Sequence, residues 1–359
     1  MTGEVVYFFA FDVANDVLAD RVGVVLGQRP RPLELRLRHA APKDVSFRRP
    51  WVVVPPLDVR RAGQLVRPQV HLFEVGVISV MMRVAFEVTD LIALEALHDL
   101  ALDDGRTLDQ VASDLAATVY RDLGPALARP SPPAEPERYT AFCVNDLDGR
   151  TDLGQWLDEE RTRAAALLSG LAPDRLSDRY VADVLRQQWS LEKTDLVVID
   201  WDAALVVDLV GPSDDVLYVL EVANLQLEEF RMMDRTLDRY LNRAYEDLER
   251  RGAVTLFGST SAVLRQLRWF RMDLAKLAEE VTNITKFVGD WYLARVYVGV
   301  GERFHLDRWR NSVENKLGQL DELYSVVREE VFERRLLWLE LLMAGFFAID
   351  VIAILWGRR

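Results

Sequence analysis

The chain contains one cysteine, Cys143, and four histidines in 359 residues. A single thiol closes no internal disulfide and builds no multi-thiolate zinc site. It lies in the apolar run YTAFCVN and is read as a buried core thiol. His39, His71, His98 and His305 are scattered, and no two have metal-ligand spacing. They are read as structural or surface residues. No GxxxxGK[ST] loop, strand-linked GxGxxG or GxSxG elbow occurs. No Cys–His nucleophile pair stands out either. The expected catalytic, cofactor and metal sites are therefore none, and the chain is not expected to be an enzyme. Positive charge is in deficit, with 44 Lys and Arg against 57 Asp and Glu, a net −13. That balance argues against direct nucleic-acid binding. No basic leader with a cleavage site surrounds the first apolar run, so no signal peptide is expected.

Apolar residues are plentiful at 50%, enough for a sizeable core. Val5 to Phe11 (VVYFFAF) is β-rich and aromatic and predicts a core strand. LELRLR, Leu33 to Arg38, alternates as a half-exposed strand does. WVVV follows, stopped by Pro55 and Pro56. Val70 to Val88 is a long apolar run in which Gly76 marks a bend or turn. Thr89 or Asp90 is placed to cap a helix through Leu100. Thr107 is placed to cap another through Leu123, stopped by Gly124-Pro125. Residues 128–137, ARPSPPAEPE, form a linker or a long surface loop within one domain; the strand TAFCVN just after favours the loop. Helices are expected over Thr151–Leu168 and Leu176–Trp189. Asp195 to Leu209 predicts two strands turning near Trp201-Asp202. Asp195, Asp200, Asp202 and Asp208 are numerous enough to suggest a magnesium site, but as turn and strand-edge acids they need no metal.

From about Asp215 the period changes. Leu220, Ala223, Leu227, Phe230, Leu237, Leu241, Ala244 and Leu248 follow 3/4 spacing, with Asp234 in the missing place. That polar position either fixes register or marks a frayed edge. A second seam runs from Leu267 to Trp291, and a third from Leu306 to Val331. Three sustained seams predict a long-helix bundle or coiled coil that covers its apolar stripes against itself or another subunit. The third runs into LLWLELLMAGFFAIDVIAILW, Leu336 to Trp356, long enough to predict a transmembrane helix. Arg334, Arg335, Arg358 and Arg359 flank it, and Trp338 and Trp356 sit near its ends as interface anchors. Glu340 and Asp350 interrupt it roughly 80° apart at about 100° per residue. Ala344 and Ala348 share their sector, which suggests a polar, close-packed face. Two acids tolerated near the ends of a lone span remain the alternative.

WYLARVYVGVGERFHLDRWRNSVENKLGQLDELYSVV, followed by ERR and the terminal apolar stretch, resembles the C-terminal half of the YagE and "required for meiotic nuclear division" family. Leu339-Glu340 and Ile349-Asp350 match its LE…(I/L)(E/D) signature, and Phe73 and Gly76 its Phe-x-x-Gly strand. The resemblance implies a membrane-anchored, self-associating protein without established catalysis. The expected fold is α+β, with an α/β-like domain over 1–210, a helix stalk over 215–335 and a single transmembrane helix over 336–356. The expected function is a non-enzymatic, membrane-anchored scaffold, homo-oligomeric through its helices, with lipid as one partner, an unknown protein as another and the body in the cytoplasm. An ion-channel subunit of CorA-like layout is one alternative, although such channels have two spans. A metal-dependent enzyme using the Asp200 region is the other.

Overall fold

A strand buried on both faces needs apolar residues at every position, and VVYFFAF supplies them. In β1 (Thr2–Asp12) the side chains from Val5 to Phe11 are all buried. The computed structural model describes residues 1–25, 31–33, 50–55, 57–249, 268, 269, 272, 275, 291–323, 340 and 343–346. After β1 come β2 (Asp16–Val17), α1 (Ala19–Val25), β3 (Arg31–Pro32), β4 (Trp51–Val53), β5 (Val59–Arg61) and β6 (Gln64–Val66). Next are β7 (Gln69–Leu72), β8 (Val77–Glu87), a 3-10 turn (Ile92–Leu97), α2 (Leu108–Leu123), β9 (Leu127–Ala128) and β10 (Glu137–Asp146). Then follow α3 (Leu153–Ser169), α4 (Asp178–Val184), β11 (Gln188–Trp189), β12 (Asp195–Ile199), β13 (Ala203–Asp208), α5 (Asp214–Glu249) and α6 (Trp291–Arg303). Residues 306–323 are helical.

Nine strands form one mixed sheet in the order β11-β12-β13-β10-β1-β8-β7-β4-β3. β10 and β13 pair in parallel, while β1 pairs antiparallel with both β8 and β10. On one face Tyr7, Phe9 and Phe11 join Ile78, Val80, Met82 and Phe142 in the main core. There α2 lies against β1 and β8, and α3 against β12 and β13. Thr107 caps α2 through a reciprocal pair with Gln110, so that helix begins where its sequence places it.

The run Val70–Val88 is two strands around a turn at Gly76, where one was expected, with Gly76 at φ +97°. Other elements differ from the sequence reading. Asp90 accepts from the Ala93 N–H, yet only the short 3-10 turn follows. The helix expected through Trp189 ends at Val184, because Trp189 pairs with Val197 as an edge strand. Its indole lies where a Cβ on Gly299 would be 1.9 Å from the ring, so α6 needs glycine there. Beyond Leu33, the strand expected over 33–38 lies outside the described residues, as does the second helical seam up to Trp291.

The chain divides into two compact units, Met1–Met232 with Asp273–Arg310, and Met233–Met272 with Asn311–Arg359. In the second unit Met233, Leu237, Leu241, Val313, Leu317 and Leu320 are buried. Asp234 accepts from the Ser312 hydroxyl and from Lys316 Nζ, both at 2.8 Å, and Lys316 also reaches Asp238 at 2.6 Å.

The transmembrane expectation is corrected. Among the described residues, no helix is long and apolar enough to cross a membrane. The long helix α5 is amphipathic, with acids and arginines along its length, and lacks the near-continuous apolar surface that lipid requires. Within 336–356, Glu340 and Met343–Phe346 are described, as helix, and the rest of that stretch lies outside the described residues. The single C-terminal span, the lipid partner and the single-pass membrane localisation are therefore not supported.

Candidate functional site

The second face of the sheet carries a buried polar cluster. Alternation along β7 and β8 turns Val70, Leu72, Ile78 and Val80 into the main core, which leaves His71 and Ser79 on the opposite face. The two are directly paired across the strands. Helix α5 lies over them. His71 Nδ1 is 2.8 and 2.9 Å from the two carboxylate oxygens of Glu221, and the Ser79 hydroxyl donates to Glu221 at 2.6 Å. All three side chains are at most 3% exposed. A carboxylate only accepts, so opposite the carboxylate form of Glu221 it is His71 Nδ1 that donates; His71 Nε2 finds no hydrogen-bond partner among the described residues.

This cluster sits in a longer polar seam. Arg83 bridges Glu4 of β1, at 2.7 Å, and Asp214 of α5, at 2.8 Å. Asn224 Nδ2 donates to the Glu137 carbonyl at 3.0 Å, and Glu137 is paired with Ala10. Arg231 pairs with the Glu137 carboxylate and stacks over Trp309 at 5.9 Å. From Asp214 to Asn224 the helix advances about 15 Å, and from Glu4 to Ala10 the strand advances about 20 Å. The helix therefore tracks β1. Ala10 and Ser79 are small enough for the helix to approach closely.

The arrangement is not that of a nucleophile. In a hydrolytic triad the imidazole takes the hydroxyl proton and the acid orients the imidazole. Here serine and histidine both donate to the same carboxylate, and nothing exposes the hydroxyl. Chemically the cluster is a buried acid within hydrogen-bond distance of a serine hydroxyl and an imidazole nitrogen.

A second group lies at the hairpin tip. Arg303 pairs with Asp200 and reaches Asp183 at 3.4 Å. Phe304 packs edge-on to Tyr139 at 5.1 Å, and Trp201 lies 5.5 Å from His305, whose φ is +53°. Asp195 accepts backbone N–H groups from Leu191 and Glu192, and Asp208 those of Val210 and Gly211. Among the described residues no three His, Cys, Asp or Glu side chains converge as metal ligands.

Cys143 lies on the same face as Glu4, to which it is paired in register. Burial pushes its thiol up to about 12, with the Glu4 charge adding to the effect; a Ser213 hydrogen bond and Arg83 oppose it. The thiolate is the reactive form. Iodoacetamide at pH 8 is therefore expected to leave native Cys143 unmodified and to label it at once in denaturant. Rapid labelling of the native chain would contradict its burial. Because the folded value is raised, the contribution is whole below the unfolded value near 9 and is lost as pH climbs towards 12. Burial likewise raises Tyr7 and Tyr139, which reinforce the alkaline loss.

Of the residues singled out from sequence, Glu340 and Ala344 are helical and exposed. Asp350, Ala348, Arg334, Arg335, Trp338, Trp356, Arg358 and Arg359 lie outside the described residues. His71, Ser79 and Glu221 went unselected; the only sequence trace was a histidine and a serine interrupting apolar strands.

The sheet-bearing part of the chain matches a known family. The model for the N-terminal domain of uncharacterized protein MJ0711 covers residues 2–214, more than half the chain. The chain belongs to this family. A curated relative, uncharacterized protein MJ0711 of Methanocaldococcus jannaschii, is 21% identical over 219 residues, 60% of this chain. The chain spans 65% of the length of that relative. No solved structure matches. The MJ0711 matches give no evidence of enzymatic activity. The matched span ends at the first residue of α5 and includes His71 and Ser79 but not Glu221.

Proposed function

We propose that the protein is a non-enzymatic interaction protein that associates with a second copy of itself through its long helices. One observation carries this reading: Met343 and Phe346 are 67% and 66% exposed on a helical stretch. Residues three apart share a helix face, so the two form one apolar patch. Tyr245 and Met272 of the same unit are also about half exposed, at 50% and 49%. Exposed apolar patches on helices mark association surfaces. The 3/4 seams in the sequence supply the periodicity that helix pairing needs.

Light scattering and sedimentation equilibrium on the full chain test the proposal. The expected species is an oligomer at micromolar concentration. Burying a side chain of this size contributes about 1.5–3 kcal/mol. Met343→Glu combined with Phe346→Glu is therefore expected to weaken association at least tenfold. A chain that stays monomeric, or an oligomer indifferent to both substitutions, overturns the reading.

A further inference from the structure

Adding one proton to the buried cluster leaves one hydrogen-bond donor without an acceptor. Two donors, the Ser79 hydroxyl and His71 Nδ1–H, already point at the carboxylate of Glu221. A proton placed on His71 lands on Nε2, which has no acceptor among the described residues. A proton placed on Glu221 turns one accepting oxygen into a third donor. Nothing in water at the surface competes in this way, because all three groups are buried. An unsatisfied buried donor destabilises the packing that buries it.

We propose that the His71–Ser79–Glu221 cluster is a proton-operated latch that holds the first half of α5 against the sheet and releases it when the cluster gains a proton. The surrounding charges do not supply the missing acceptor. On β1, Glu4 is committed to Arg83, which also holds Asp214, and Asp12 has interactions of its own. On β10, Glu137 is committed to Arg231. On α5, Glu228 lies two turns beyond Glu221 and also has partners. On α6, Tyr297 donates to Gln226. Asn224 and Gln226, also on α5, are each held by one hydrogen bond from a neighbouring element, while Asn224 Oδ1 and Gln226 Nε2 are left over among the described residues. The polar seam beside the latch is thus incompletely satisfied, and it runs alongside buried apolar side chains of the same helix, Leu217, Leu220, Val222, Leu225 and Leu227, which the latch keeps seated.

Hydrogen exchange on the full chain, corrected for intrinsic rates, tests the latch. Between pH 7.5 and pH 5 the amides of residues 214–232 are expected to open at least tenfold more, while those of β1 keep their protection. Glu221→Gln, which carries no titrating proton, is expected to open the same segment at least tenfold at pH 7.5 and to abolish the pH step. Should that variant fail to fold, Ser79→Ala removes one donor to the carboxylate and is expected to move the step to higher pH. A wild-type segment that exchanges alike at both pH values overturns the proposal. So does a step that survives Glu221→Gln, or one that Ser79→Ala leaves unmoved.

Discussion

Glu221→Leu is expected to cost the folded state about 2–6 kcal/mol, the range for stranding two buried hydrogen-bond donors. Leucine fills a similar volume, so the loss does not come from a cavity. It comes from the Ser79 hydroxyl and the His71 Nδ1–H, which lose their acceptor while both stay about 1% exposed. Each stranded donor costs about 1–3 kcal/mol. Adding His71→Leu and Ser79→Ala to Glu221→Leu is expected to recover most of the loss, since an apolar set of similar shape needs no partners. Denaturant titration of the wild type, Glu221→Leu, Ser79→Ala, the double variant of these two and the triple variant gives the comparison directly. A single-variant loss below about 1 kcal/mol would show that the network does not hold α5. Additivity of Ser79→Ala and Glu221→Leu within about 0.5 kcal/mol would show that the two do not act together.

That network also marks where sequence reading stopped. β1 was legible because a strand apolar on both faces looks like nothing else over so short a run. α2 was legible because Thr107 and Gln110 state its start locally. Glu221 was not, because its partners lie 150 and 142 residues away and no local rule pairs them. Within its own helix it reads as one more acid beside an apolar seam. Asp234 was partly legible: its place on the seam was visible, and its partners Ser312 and Lys316, on another helix, were not. Trp189 was misplaced for the same reason, since the glycine that makes room for its ring is Gly299. The transmembrane expectation followed from an apolar run of the right length. Length and hydropathy do not distinguish lipid from protein as the covering surface, and among the described residues no helix meets the requirements of a span.

Gly76→Ala is expected to destabilise the chain by about 3 kcal/mol or more, through two effects that add. The first is conformational. Gly76 has φ +97°, where a side chain is strained whatever space surrounds it. The second is a close approach. A Cβ there would sit 1.7 Å from the Ala14 carbonyl oxygen and 2.5 Å from its carbon, both main-chain atoms that cannot swing aside. The Gly76 carbonyl also accepts the N–H groups of Val13 and Ala14, at 3.0 and 3.2 Å, so separating the two segments breaks the contact that fixes the end of β1 against the β7–β8 turn. Gly63→Ala separates the two effects. Gly63 has φ +77° with no atom within 4 Å of the added carbon, so it bears the conformational cost alone, about 1–2 kcal/mol. Thermal or denaturant unfolding of both variants measures the difference. Equal losses would mean that the segment around Ala14 yields freely, and that the β7–β8 turn is not clamped to the end of β1.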